Sequence, residues 1–350
     1  MLAPVCHDAP LAVTEDPSRR EWDEFVTTHP DATCDHLWSW RGIFEDVFGQ
    51  RAVYFVARRG SAIVGALPVV CFRSRLFGRS VVSLPFLNYG GILASDSSVA
   101  QHLLAAVHRL ACDFAATHVE LRHSRRQFGH LPSRQHKLGF VRDLPQSPEA
   151  LWASLDRKVR NQVRKAQKEG LTVRVGGVES VDEFYSVFAR NMRDLGTPVY
   201  AKRLFVQVLQ RMPERTSVAI VSHGGVPAAA AITIRFRDTV LVPWASSRRE
   251  FRHLCPNMLL YWTMLEHAVA AGARRFDFGR SSPDSGPHQF KLQWGAEQAP
   301  LTWEYLLLTR ETAPDQGASN PKFARAVDAW SRLPLWVTNR IGPAIVRNIP

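Results

Sequence analysis

The chain has 350 residues, of which 45% are hydrophobic and 22% charged, so it reads as globular rather than disordered and has length for two ordinary domains. Lys and Arg number 44 against 32 Asp and Glu, a net charge of +12, which points to an anionic partner: nucleic acid, a phosphate-bearing substrate or an anionic membrane face. Five cysteines without C-x-x-C spacing give neither a disulfide framework nor a zinc site, and no stretch approaches the roughly 20 apolar residues of a membrane span.

The opening MLAPVCHDAP lacks a basic n-region and a long apolar run, so no signal peptide is read there and a cytoplasmic location is expected. The first ten or so residues form a loose arm. Ser18 to Thr27 and Trp38 to Phe48 read as short helices. A β-hairpin follows, with Ala52 to Arg58 and Ala62 to Phe72 joined at Gly60. Gln101 to Ala116 is amphipathic, with Leu103, Leu104, Val107, Leu110, Ala111 and Phe114 on one side, and His118 to Arg122 is a strand.

The second half repeats that order. Ser217 to Ser222 and Val226 to Phe236 are strands joined at Gly224-Gly225, and Asp238 turns the chain into a third, Thr239 to Ala245. Asn257 to Ala271 is a helix between Pro256 and Gly272, and Arg274 to Phe278 is the next strand. A β-β-α-β unit that occurs twice implies two related α/β domains with a boundary near Pro145 to Pro148. Glu311 to Asn320 is a polar linker. The tail from Phe323 mixes Trp330, Leu333, Trp336, Ile341 and Ile345 with Arg325, Arg332, Arg340 and Arg347. It packs back as a C-terminal helix or lies on an anionic membrane face.

Two segments carry candidate chemistry. In Ser154 to Gly170, with Ser154 as N-cap, Leu155, Val159, Val163 and Ala166 fall on one side of a helix. Arg157, Arg160, Arg164 and Lys168 fall on the other, a row of cations spaced for a phosphate-rich ligand. In Phe276 to Ala296, Asp277 alternates with Phe276 and Phe278 and so faces away from them. Gly279 lets the backbone turn, and Ser281 to Pro287 reads as a polar loop anchored by Phe290 and Trp294. Lys291 is then a contact for a phosphate or carboxylate.

Three stretches together resemble the FemAB family of tandem GNAT-like proteins: LDRKVRNQVRKAQKEG at 155–170, NMRDLGTPVYAKRLF at 191–205, and FDFGRSSPDSGPHQFKLQWGA at 276–296, which ends in an F-K-x-x-[FW]-G element. The resemblance covers about residues 15 to 310 and looks closest to the FemAB-like subgroup encoded with exosortase (PEP-CTERM) and exopolysaccharide systems. It implies an α/β (α+β) fold of two tandem GNAT-like domains, each a mixed, mainly antiparallel sheet flanked by helices. The expected bounds are 1–148 and 149–311, with a linker and tail over 312–350. It further implies an acyltransferase that moves an aminoacyl group to an amine of a cell-envelope or peptidoglycan-type precursor. Lys291 would hold substrate phosphates, and FLNYGG at 86–91, a weaker match, would put Asn88 and Tyr89 near the acceptor.

Acyl transfer to an amine needs a proton acceptor and a positioned donor. Asp277 is the candidate acceptor, directly or through water, and a structural hydrogen-bond acceptor is its alternative. Tyr200 or Tyr89 is a candidate to position donor or acceptor, and Trp244 to line an aminoacyl pocket; Tyr200 and Trp244 are otherwise core residues. The segment SSRREFRHLCPNM at 246–258 has no glycine where acetyl-CoA enzymes carry a glycine-rich pyrophosphate turn; it offers only Arg248, Arg249 and Arg252. No tightly bound cofactor and no metal are expected. The glycine-free segment makes the expected donor aminoacyl-tRNA or another bulky, phosphate-bearing acyl donor. The alternatives are an acyl-CoA-dependent N- or O-acyltransferase of exopolysaccharide biosynthesis and a non-catalytic basic binding module.

Overall fold

A computed structural model of the chain describes residues 9–75, 77–314 and 324–349. In chain order the strands are β1 (Leu11–Glu15), β2 (Arg51–Arg59), β3 (Ala62–Ser74), β4 (Gly78–Val82), β5 (Leu93–Ala94), β6 (His118–His123), β7 (Ser133–Asp143), β8 (Thr172–Gly176), β9 (Thr216–His223), β10 (Val226–Phe236), β11 (Thr239–Ser247), β12 (Arg275–Ser281) and β13 (Glu297–Leu307). The helices are α1 (Arg19–Thr28), α2 (Ser39–Phe48), α3 (Ser97–Asp113), α4 (Pro148–Ser154), α5 (Arg157–Lys168), α6 (Val181–Asp194), α7 (Lys202–Arg211), α8 (Pro256–Ala270), α9 (Gly286–Leu292), α10 (Ala324–Ser331) and α11 (Leu335–Val346).

The chain divides into two compact units, and the division is not serial. The first holds residues 1–136, 300–315 and 347–350; the second holds 137–299 and 316–346. In the first unit the strands run β1-β2-β3-β4-β6-β13, with β5 on β3. All neighbours are antiparallel except β4 and β6. Gly60, at φ +59, turns β2 into β3. Val99, Leu103 and Val107 of α3 are fully buried in the apolar cluster that also takes Val53, Leu67, Val69 and Leu121 from the strands. Asp96 caps α3 by accepting from the Val99 amide at 2.9 Å. The expected loose arm lies outside the described residues up to position 8, and from Leu11 it becomes β1.

The second unit repeats the plan in the order β7-β12-β11-β10-β9-β8, again antiparallel except for one parallel pair, β11 and β12. Helix α8 is apolar on nearly every side, so it must be covered on both faces. Strands β9 and β10 take one face and α5 takes another, through Val159, Val163 and Ala166. That need for cover explains the apolar stripe of α5, and it leaves the cations outward.

Two local expectations are corrected. Ser154 does not cap the basic helix: its hydroxyl donates to the Leu151 carbonyl at 2.7 Å, which closes α4, and α5 begins after Asp156. Ser281 to Pro287 is not wholly loop, because Ser285 accepts from the His288 amide and starts α9. Helices α6 and α7 fill the stretch between the basic helix and β9. Of the expected linker, residues 315–320 lie outside the described residues, as does Phe323. The tail forms α10 and α11, which pack against α6. Gly342 of α11 approaches Val199 so closely that an added Cβ would lie 2.9 Å from the Val199 nitrogen. Among the described residues no helix is long and apolar enough to cross a membrane.

Candidate active site

The site is set by two strands that begin as partners and then part. Strands β11 and β12 pair only at Thr239↔Arg275, Val240↔Phe276 and Leu241↔Asp277. Beyond that point β11 stays on β10 as far as Ser247↔Ala229, while β12 stays on β7 as far as Ser281↔Leu138. Each strand is held by its outer neighbour, so a wedge opens between their C-terminal ends. The cause is legible in residue types. Pro243 lacks an N–H and sits where the β10–β11 register shifts, between Ile232 and Ile234. Gly279, at φ +70, sits where the β12–β7 register shifts, between Asp277 and Arg280. These two irregularities redirect the strands on either side of one gap.

The structure brings Asp277 and Lys291, 14 positions apart, within electrostatic reach of each other. Both are 6% exposed. Phe276 and Phe278 join the apolar cluster, and Asp277 between them on β12 alternates to the other face of the strand. An Asp277 carboxylate oxygen accepts from the Gly279 amide at 2.7 Å, which supports the turn. Lys291 projects from α9, donates to the Arg280 carbonyl at 2.9 Å, and places its ammonium 5.2 Å from the Phe140 ring centre. Burial pushes the Lys291 amine down to about 8; Asp277 opposes that shift and Arg280 adds to it. Lys137, absent from the sequence reading, donates to the Ser282 hydroxyl at 2.7 Å, and burial next to Arg280 lowers it as well. Nothing in QHKLGF marks Lys137 in sequence, because its role depends on β7 pairing with β12.

On the other lip of the wedge, Trp244 of β11 packs edge-on against Phe205 at 5.1 Å, and Tyr200 meets the same ring at 6.4 Å. Tyr200 and Trp244 are thus two half-buried ends of one aromatic cluster built on α6 and α7. Ser246, also on β11, is buried and accepts from the Asn191 side chain at 3.0 Å. Between β11 and α8, the glycine-free segment winds into a 3-10 turn over Arg249–Leu254. The amides of Phe251 and Cys255 are used within that turn. Arg248 donates to Ser186 at 3.0 Å and Arg249 to the Asp194 carbonyl at 2.8 Å, while Arg252 is exposed.

Helix α5 stands apart as a cation row. Arg157, Arg164 and Lys168 are exposed, Arg160 is half-buried, and Arg164 lies over the Trp152 ring at 5.4 Å.

Asn88 and Tyr89 belong to the first unit, where the equivalent wedge is closed. Strands β4 and β6 pair at Val81↔Val119 and Val82↔Glu120, and then residues 83–91 run into the gap. The Ser83 amide donates to the Glu120 carbonyl at 2.8 Å, and the Arg122 amide to the Ser83 hydroxyl at 2.7 Å. The Gly91 amide donates to the Arg122 carbonyl at 3.0 Å. Asp35, another residue the sequence reading missed, is buried and accepts from the Asn88 and Tyr89 amides at 3.1 and 2.9 Å. Gly91 faces His123, whose Nδ1 bonds Glu304 at 2.7 Å and whose Nε2 accepts from the Ile92 amide at 3.0 Å. A cavity of about 320 Å³ opens beside this network, with Tyr89, His36 and His123 in its wall.

A parallel pair set in an otherwise antiparallel sheet, repeated in two units, defines the architecture, and comparisons with known proteins agree with it. Residues 153–292 match the family described as acetyltransferase (GNAT) domain. The fold is a tandem GNAT fold. Among solved structures the chain is similar to FemX, with TM-score 0.65 and 15% identity, covering 85% of this chain and 98% of that one. It is also similar to the C-terminal domain of a putative lysylphosphatidylglycerol synthetase from Agrobacterium fabrum, with TM-score 0.57, 12% identity, and 89% and 94% of the two chains. A tandem GNAT protein from the clavulanic acid biosynthesis pathway superposes with TM-score 0.53 at 13% identity over 87% of this chain and 100% of its own. A comparison with curated proteins finds no match. Among the described residues no group of three or more His, Cys, Asp or Glu is placed to hold a metal ion.

Proposed function

We propose that this chain is an acyltransferase that forms an amide bond, moving an aminoacyl group from an aminoacyl-tRNA to an amine of a cell-envelope precursor. The observation that carries the reading is the parting of β11 and β12 inside a GNAT-type unit, with Asp277 at the last paired position and Lys291 buried on α9 beside Arg280 of the same strand. An acyl donor laid in the wedge meets two strand edges that have no partner strand there. In the reaction the amine nitrogen adds to the ester carbonyl carbon, the C–N bond forms, the C–O bond to the ribose breaks, and the amine proton ends on the released hydroxyl. Asp277 is the carboxylate available to carry that proton. Lys291 supplies positive charge near the site where the oxyanion develops or where phosphates sit.

Two features favour a tRNA donor over a CoA thioester. The turn ahead of α8 uses its own amides and contains no glycine, so it offers little backbone to a pyrophosphate. The cation row of α5 suits a longer polyanion. A protein of the same fold is named as a putative lysylphosphatidylglycerol synthetase, a name that joins an amino acid to a lipid, which supports an envelope acceptor. The resemblance to exosortase-associated FemAB-like proteins points to an acceptor made in an exopolysaccharide or peptidoglycan-type system.

The test is incubation of the purified chain with charged tRNA pools and envelope precursors, with products read by mass spectrometry. The expected product is a precursor heavier by one aminoacyl residue. Replacing Arg157, Arg160 and Arg164 together by Glu should raise KM for the charged tRNA and flatten its salt dependence. Transfer from an acyl-CoA with none from any aminoacyl-tRNA overturns the donor assignment.

A further inference from the structure

Helix α11 presents a face that the described chain leaves largely exposed at Trp336 and Arg340. Thr338, Gly342 and Val346 repeat every four residues and are its buried side, drawn close by the absent side chain at Gly342. At about 100° per residue, Trp336, Arg340 and Ala344 then stand on the opposite side, flanked by Val337 and Ile341. Trp336 is 72% exposed, the most exposed large hydrophobic residue among those described, and Ile341 is 40% exposed. Leu195, at the end of α6 beneath the tail, is 51% exposed. A helix that only packs on its own protein carries polar residues outward; this one carries an indole, two branched aliphatics and a guanidinium.

Charge narrows the choice of partner. Asp328 is the last acidic residue of the sequence and pairs with Arg332 at 2.8 Å. After it come Arg332, Arg340 and Arg347 with no Asp or Glu among them. Area narrows it further. A helix of 12 residues is roughly 18 Å long and about 10 Å wide, which gives a footprint of about 180 Å². A stable protein interface needs about 800 Å² per partner. A planar surface that accepts a Trp and an Ile at its apolar boundary and attracts Arg above it is an anionic lipid bilayer.

We propose that the outward face of α11, through Trp336, Ile341 and Arg340, docks the protein peripherally on an anionic bilayer surface. This holds whatever the acyl donor. The helix stays in place on α6 and only its exposed side enters the headgroup layer, so no unfolding is required.

Flotation of the full chain with vesicles tests it. Vesicles of equal parts phosphatidylcholine and phosphatidylglycerol should carry the protein; vesicles of phosphatidylcholine alone should carry little. Arg340→Ala should weaken binding roughly five-fold. Trp336→Ser with Ile341→Ser should weaken it by roughly tenfold or more, with an unchanged circular dichroism spectrum. The double variant separates this face from α5, which would bind anionic lipid by charge alone and be untouched by it. No binding of the parent to the anionic vesicles, equal binding to both compositions, or full binding by the double variant overturns the proposal. So does a Trp336-dependent self-association without vesicle binding, which would assign the face to a second copy.

Discussion

Lys291→Met separates the cost of burying a charge from its use. The amine is held at about 8 against an ordinary value of 10.5, a depression of about 2.5 units, equivalent to about 3 kcal/mol. Below pH 8 the lysine is charged in both folded and unfolded chains, so that cost weighs fully on the folded state. Between pH 8 and 10.5 the folded chain gives up the proton while the unfolded chain keeps it, and stability rises with pH. Methionine fills nearly the same volume without the charge. It forfeits the bond to the Arg280 carbonyl, worth about 1 kcal/mol. The variant should therefore be more stable than the parent by about 2 kcal/mol at pH 7, and less stable by about 1 kcal/mol above pH 10.5, while acyl transfer falls. Urea unfolding of both proteins from pH 6.5 to 10.5 gives the difference curve, in which groups common to both cancel. A variant that is less stable at pH 7, or a difference that does not change across that range, refutes the idea that burial strains Lys291.

Gly91→Ala tests the closed wedge of the first unit. The new methyl would lie 2.0 Å from His123 Cδ2, so the ring must leave Glu304, and a loss of about 2–3 kcal/mol is expected, seen as a lower thermal midpoint. Gly129→Ala, which meets nothing within 4 Å, is the control and should be near neutral. Acid should weaken the same unit. His36 is buried and its ring is lowered to about 4, chiefly by desolvation, so between pH 6.5 and 4 the unfolded chain binds the proton and the folded one does not. Stability should fall by about 3 kcal/mol over that window, and a His36→Asn variant should lack most of that fall in urea titrations at pH 6.5 and 4.

Much of the fold was legible because each repeat writes the same local rules. The β2–β3 and β9–β10 hairpins announce themselves by Gly60 and by Gly224-Gly225, and α3 and α5 by their 3.6-residue stripes. Residues whose roles come from pairing were not legible. Lys137, Asp35 and Glu304 act on partners 145, 53 and 181 positions away, and no local pattern encodes such distances. Asp277 and Lys291 were visible separately; their mutual burial was not, because α9 hid within a Ser-Gly-Pro stretch that reads as loop. The wedge had a signal only half read: Gly279 stood out as a place where the backbone turns, but Pro243, a strand breaker inside an apolar run of β11, did not.

The contrast between the two repeats bears on which of them does chemistry. Both have the parallel pair followed by divergence, so both could in principle admit an extended ligand between strand edges. In the first unit, residues 83–91 already take those edges. Leu84 and Phe86 adopt φ +59 and +71, unfavourable for side chains of their size, and Arg122 holds the Leu84 and Leu87 carbonyls at 3.3 and 2.9 Å. Backbone strain of that kind persists only where surrounding bonds over-determine it. Arg122 is itself fixed by Glu120 at 2.8 Å and lies over Trp303 at 4.2 Å, so the plug is built in rather than poised to leave. Among the described residues of the second unit no such segment fills that place: after Ser247 the chain turns away into the 3-10 turn and α8. Duplication thus supplies two wedges and the sequence closes one of them. Asp277, Lys291, the aromatic cluster and the cation-bearing helix all belong to the unit whose wedge stays open, and that is the unit to which we assign the proposed acyl donor.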